Sequence, residues 1–243
     1  MTSRLIYGFH AVTAKLRHDP ESVKEILFDA ARQDGRVRDL LKHAELQNVK
    51  ILAVDGKRLD GMATGGRHQG VIARIEGGRK AAHLDDVLDT LEEPAFLLVL
   101  DGITDPRNLG ACLRVADAAG VHAVIAPKDR AVGLTDVAAK TACGAAESVP
   151  YVMVTNLART LRELQERDIW VIGTAGEAES DLYAAAWPKA TAWVLGAEGE
   201  GMRRLTRENC DQLVKIPMLG SVESLNVSVA AGVCLFEARR RLG

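Results

Sequence analysis

The sequence predicts an α/β protein of two domains. Three observations carry that reading. Short apolar runs alternate with segments of helical periodicity; the runs beyond residue 95 are continuous rather than alternating; and composition shifts between residues 76 and 95. With 243 residues, 47% hydrophobic and 26% charged, the chain can bury a sizeable core.

In the first part, Ile26-Leu27-Phe28, residues 49–54 and residues 70–75 are β-branched runs bounded by Gly, Asp and charged residues, and they predict strands. Val37, Leu40, Leu41, Ala44 and Leu46 recur at helical spacing between them. Residues 60–70 hold closely spaced glycines among polar and basic side chains, which predicts a loop, either a simple turn or one that moulds itself to an RNA backbone. Residues 77–94 read as a linker, with an amphipathic turn through Leu84, Val87, Leu88 and Leu91. The domains expected are therefore 1–76 and 95–243.

From Ala95 onward, residues 96–100, 123–126, 151–154, 169–173, 192–196 and 213–216 are continuous apolar runs, as strands buried on both faces require. Helical segments at 109–119, 157–167 and 225–241 separate most of them, so a parallel sheet layered with helices is expected. Ligands of such sheets bind at the carboxyl ends of the strands, which directs attention to the loops that follow them.

Charge and cysteine usage narrow the function classes. Residues 1–80 carry 15 Lys+Arg against 10 Asp+Glu, whereas 81–243 carry 16 against 23, so a net charge of −2 hides a basic first part and an acidic second. A polyanion-gripping appendage on an enzyme has this form, although the same excess also serves plain solubility. No apolar run approaches the roughly 18 residues of a membrane span, and the first residues lack a signal-peptide core, so membrane and secretory classes are not expected. Cys112, Cys143, Cys210 and Cys234 lie far apart without metal-ligand spacing, which predicts reduced thiols in a cytoplasmic protein and no metal site.

Three loops stand out. In residues 101–114, Asn108 is a candidate helix cap and Arg114 lies under two turns further on. In residues 196–202, glycines at 196, 199 and 201 permit close backbone approach, but their spacing is not that of a dinucleotide-binding turn, and Glu198 and Glu200 would repel a pyrophosphate. In residues 216–234, Pro217 and Gly220 turn the chain, Ser224 can cap a helix, and Asn226 places a polar amide in an otherwise apolar first turn.

In order and spacing, N-L-G-x-x-x-R at 108–114, L-G-A-E-G-E-G at 195–201, and I-P-M followed by S-L-N-V-S-V-A at 216–230 resemble the three motifs of the SpoU (TrmH) RNA ribose 2′-O-methyltransferases of the SPOUT superfamily. Residues 7–12 and 68–73 resemble the substrate-binding domain of its 23S rRNA guanosine-2′-O-methyltransferase branch, so the resemblance spans nearly the whole chain. It implies a C-terminal SPOUT domain with a deep trefoil knot, dimerising through that domain and preceded by a small L30e-like domain that binds RNA. The residues alone suggest an unknotted doubly wound sheet. The implied cofactor is S-adenosylmethionine, without metal, held at Gly196, Ile216 and Leu225; a positive sulfonium also suits the two glutamates. Arg114 is the implied activating residue, with Asn108, Glu198, Ser224 and Asn226 positioning it and the ribose hydroxyl.

The implied substrate is a guanosine in the peptidyl-transferase loop of 23S rRNA, free or in a large-subunit assembly intermediate. A tRNA or a different rRNA nucleotide is the alternative within the class. A nucleotide-dependent oxidoreductase lacks its glycine fingerprint here, and a non-catalytic assembly factor has no need of Asn108, Arg114, Glu198 and Asn226 together.

Overall fold

The computed structural model describes residues 3–63, 68–76 and 83–242, and the chain divides into two compact units. The first comprises residues 1–80 together with 143–148, and the second the remainder.

The first unit begins with β1 (Ser3–Tyr7) and α1 (Phe9–His18), followed by β2 (Val23–Asp29), α2 (Gly35–Leu46), β3 (Lys50–Val54), α3 (Gly56–Ala63) and β4 (Val71–Glu76). Its sheet runs β1-β4-β2-β3, antiparallel except for the parallel β2–β3 pair. Ile26, Ala73 and Ile75 from the sheet close over Val12, Leu16, Val37 and Leu40 from the helices. Asp34 starts α2 by accepting the amides of Arg36 and Val37. The expected loop at 60–70 is corrected at its start: residues 60–63 complete α3, because Leu59 and Ala63 bury one face of that helix. Residues 64–67 of that expectation lie outside the described residues.

The second unit runs α4 (Leu84–Leu88), β5 (Phe96–Asp101), α5 (Pro106–Ala119), β6 (Ala123–Pro127) and α6 (Asp136–Thr141). A short helix, α7 (Ala145–Ser148), falls in the first unit. The second unit resumes with β7 (Tyr151–Val154), α8 (Leu157–Gln165), β8 (Trp170–Thr174), β9 (Ser180–Asp181), β10 (Thr191–Gly196), α9 (Arg204–Glu208), β11 (Gln212–Lys215) and α10 (Val227–Leu242). Its seven strands form one parallel sheet in the order β7-β6-β5-β10-β8-β11-β9. One face packs Leu97, Val99, Ile125, Val171 and Val194 against Leu157, Leu161 and Leu164 of α8. Phe96, Leu98 and Trp193 are also fully buried, and α10 lies on α5 and β10.

The strand order reverses between β5 and β10: successive strands grow outward from β5 on one side, while β10 slots between β5 and β8 on the other. This reversal is where an open parallel sheet leaves a crevice at its carboxyl edge. The three loops singled out in the sequence follow β5, β10 and β11 at that edge. The helix expected from Leu225 begins instead at Val227.

Candidate active site

The loop after β5 enters α5 through Asp105, whose carboxylate accepts the Arg107 amide at 2.8 Å, with Pro106 in the first helical position. Asn108 is thus not the cap that its type suggests. Asp105 satisfies the free amide and leaves the Asn108 side chain to work across the fold. Its Oδ1 accepts from Nδ2 of Asn226 at 3.0 Å, joining positions 118 apart in the chain.

Asn226 is also the residue that starts α10. Its Oδ1 accepts from the Ser228 amide at 3.0 Å and from the Ser228 hydroxyl at 2.7 Å. Ser224 is exposed and makes no hydrogen bond among the described residues, so its expected capping role is corrected. Asn226 prevails because one planar amide caps the helix with its oxygen and reaches Asn108 with its nitrogen.

Gly110 of the first motif serves packing. A Cβ there would stand 2.4 Å from the Ala138 carbonyl oxygen and 2.6 Å from Thr141 Cβ, so α5 and α6 meet backbone to backbone. Arg114 is exposed and has no hydrogen bond or ion pair among the described residues. Arg107, seven residues earlier, is exposed on the same side of α5, since seven residues make nearly two turns.

The loop after β10 folds back on itself. Ala197 and Gly201 exchange backbone hydrogen bonds of 3.1 and 2.9 Å, and a Cβ on Gly196 would lie 2.0 Å from the Gly201 carbonyl carbon. Glycine at 196 is therefore a requirement of the turn. Glu198 is exposed at its tip. Beyond the turn, Arg203 is bound twice by Asp101, the buried last residue of β5: the carboxylate accepts the Arg203 amide at 2.8 Å and Nε at 2.7 Å. The sequence reading missed both residues. An Asp at a strand end looks like a turn former, and only the adjacency of β5 and β10 shows its partner.

The loop after β11 is open in a different sense. From Met218 to Leu225 no backbone amide or carbonyl has a hydrogen-bond partner among the described residues. Ile216 and Leu225, at either side of this stretch, are half-buried. Unpaired backbone at the carboxyl edge of a sheet is suited to a ligand gripped by main-chain groups. Burial pushes the thiols of Cys112, Cys210 and Cys234 up to about 12, so none of the three is a nucleophile near neutral pH. Among the described residues no cluster of His, Cys, Asp or Glu is placed to hold a metal ion.

The SpoU rRNA Methylase family model matches residues 95–236, more than half of the chain. This chain belongs to the SpoU rRNA methylase family. A second model, the RNA 2′-O ribose methyltransferase substrate-binding domain, matches residues 5–81. A relative from Ralstonia nicotianae, named 23S rRNA (guanosine-2′-O-)-methyltransferase RlmB, is 65% identical over 98% of this chain and 96% of its own. The protein of the same name from Escherichia coli K12 is 56% identical over 98% of this chain and 99% of its own. Among solved structures, the SpoU methyltransferase AviRb from Streptomyces viridochromogenes in complex with AdoMet superposes with a TM-score of 0.76 at 26% identity, covering 98% of this chain and 90% of that one.

Proposed function

We propose that this SpoU family member transfers a methyl group from S-adenosylmethionine to the ribose 2′-hydroxyl of a guanosine in 23S rRNA, at position 2251 of the peptidyl-transferase loop. The observation that carries the reading is the Asn108–Asn226 hydrogen bond, which joins the first and third motif loops beside the sheet's topological switch point. The substrate assignment is supported by the full-length likeness to relatives bearing that name and by the substrate-binding domain match.

The residues present suit the cofactor. Main-chain groups of 218–225 are free to bind it, with Gly196, Ile216 and Leu225 as the holding positions. When bound, it supplies an electrophilic methyl on a positive sulfonium. The chain's own task is to align a weakly acidic hydroxyl with that methyl and accommodate its proton as the bond forms. A guanidinium, with a pKa above about 12, is a poor base and a good anion ligand. Arg114 therefore orients the RNA phosphate and stabilises the developing alkoxide, with uptake of the hydroxyl proton by Arg114 as general base the alternative role, while Asn108 and Asn226 hold the loops in register and Glu198 and Ser224 position the hydroxyl.

The same reading includes a knot, a dimer and a cytoplasmic site of action. Residues 216–226 leave β11, which is two strands from β10, and α10 returns to lie on β10 and α5, which supports the threaded path that the family implies. Val229 and Phe236 are each 51% exposed on α10, an apolar stripe suited to a second copy. Among the described residues no helix is long and apolar enough to cross a membrane. An rRNA assembly intermediate is the alternative form of the partner.

Incubating the protein with methyl-labelled S-adenosylmethionine and either unmodified 23S rRNA or bulk tRNA tests the reading. Label in 23S rRNA is expected; label confined to tRNA would transfer the chemistry to another substrate and overturn the assignment.

A further inference from the structure

Asp101 is 1% exposed, and its side chain is wholly buried. A carboxylate in that position is costly unless its lone pairs are filled by strong donors. Here both donors come from one residue: the Arg203 amide takes Oδ2 at 2.8 Å and its guanidinium Nε takes Oδ1 at 2.7 Å. Asp101 is also the ladder partner of Gly196. The same residue therefore fixes both ends of the glycine loop, Gly196 through the β5–β10 ladder and Arg203 through the carboxylate. The Arg203 guanidinium has a second arm, Nη1, which reaches Asp129 in the loop after β6 at 3.0 Å. One side chain thus ties the end of β5 to the loops that follow its two neighbours in the sheet, β6 and β10.

We infer that Asp101 and Arg203 form a clamp that sets the conformation of the glycine loop at residues 196–203, making Arg203 a positioning residue for methyl transfer. The inference rests on the proposed function in assigning that loop to the cofactor. The clamp itself is independent of that assignment. Its geometry explains why an arginine stands at 203: the fork sends Nε to a buried carboxylate and Nη1 to an exposed one, and a lysine ammonium cannot span both directions in a fixed plane. Between the two fixed ends the described residues hold the loop by the Ala197–Gly201 bridge and by Met202, which packs against the core of the sheet, so the clamp sets where the loop starts and ends while these two contacts shape its middle.

The test uses the full chain, with Arg203→Lys and Asp129→Asn as separate variants and two readouts. The first is amide hydrogen exchange of the cofactor-free protein. Losing one charge-assisted arm should raise exchange at the Gly201 and Arg203 amides about tenfold in Arg203→Lys and by less in Asp129→Asn, which keeps the Asp101 arm. The second is S-adenosylmethionine affinity by titration calorimetry, with the RNA KM and Tm alongside. Arg203→Lys should weaken cofactor binding about tenfold with the RNA KM within about twofold, a split that the lower Tm expected from weakening a donor to the buried Asp101 carboxylate does not by itself produce.

Unchanged exchange at Gly201 and Arg203 in both variants overturns the clamp. Faster exchange with unaltered cofactor affinity overturns the positioning role. A purely structural role would show as equal losses in cofactor and RNA affinity that track a lower Tm. If Arg203→Lys folds poorly, Asp129→Asn decides by the same two readouts, because its side chain is 62% exposed and its removal strands no buried charge. Should the native protein bind no S-adenosylmethionine while the variants still exchange faster, the clamp stands and the proposed function falls.

Discussion

The Asn226 side chain makes three hydrogen bonds, two through Oδ1 to Ser228 and one through Nδ2 to Asn108, and these set the cost of replacing it. Asn226→Ala removes the cap of α10, worth about 1 kcal/mol, and leaves the half-buried Asn108 oxygen without its donor, worth about 1 kcal/mol more. The total of about 2 kcal/mol corresponds to a Tm lower by roughly 4–8 °C for a protein of this size. Asn226→Asp separates the two contributions. Its carboxylate caps α10 as well as the amide does, and a turned-over Asn108 amide can donate to it, so the loss should stay under about 1 kcal/mol. Thermal unfolding followed by circular dichroism, with urea titration as a second measure, reads both. A cost for Asn226→Ala below about 0.5 kcal/mol, or an Asp variant as unstable as the Ala variant, would refute the bridging role.

Three further outcomes follow from the same geometry. Arg114→Ala should abolish most turnover while S-adenosylmethionine affinity, measured by titration calorimetry, stays within a few-fold, because the exposed guanidinium anchors no loop. Gly110→Ala should cost about 1–2 kcal/mol in urea unfolding: the clash with Ala138 and Thr141 outweighs the better helix propensity of alanine, and a neutral result would mean that α6 yields freely. Hydrogen bonds from Arg240 and Arg241 hold the Glu237 carboxyl at about 2, below its ordinary 4.5. Its contribution to the end of α10 is therefore complete above about pH 4.5 and lost as pH falls towards 2. Glu237→Gln should flatten the stability profile in that window and leave it unchanged in shape at neutral pH.

Six of the seven strands of the second unit are legible because burial on both faces writes a continuous apolar run, and all six runs beyond residue 95 coincide with observed strands; the two-residue polar β9 writes none. The first motif was legible as a loop before a helix, but its cap was not. Asp105 and Asn108 both suit an N-terminus, and only the distant Asn226 decides between them. The same competition moved the start of α10 from Ser224 to Asn226. β1 escaped notice because Arg4 interrupts a run of five residues, and its pairing with β4 is a long-range fact. The Asp101–Arg203 clamp was invisible for a similar reason. Nothing in the local pattern says that β10 inserts beside β5, and until that adjacency is known, a buried aspartate and a surface arginine have no connection.

The most direct test maps the product to a nucleotide. After reaction with unmodified 23S rRNA, reverse transcription at low nucleotide concentration should give one new stop, at the guanosine of the peptidyl-transferase loop, dependent on S-adenosylmethionine and lost in Arg114→Ala. No stop in that loop from a protein that nonetheless methylates RNA, or a methyl group found on a base instead of a ribose, would contradict the account.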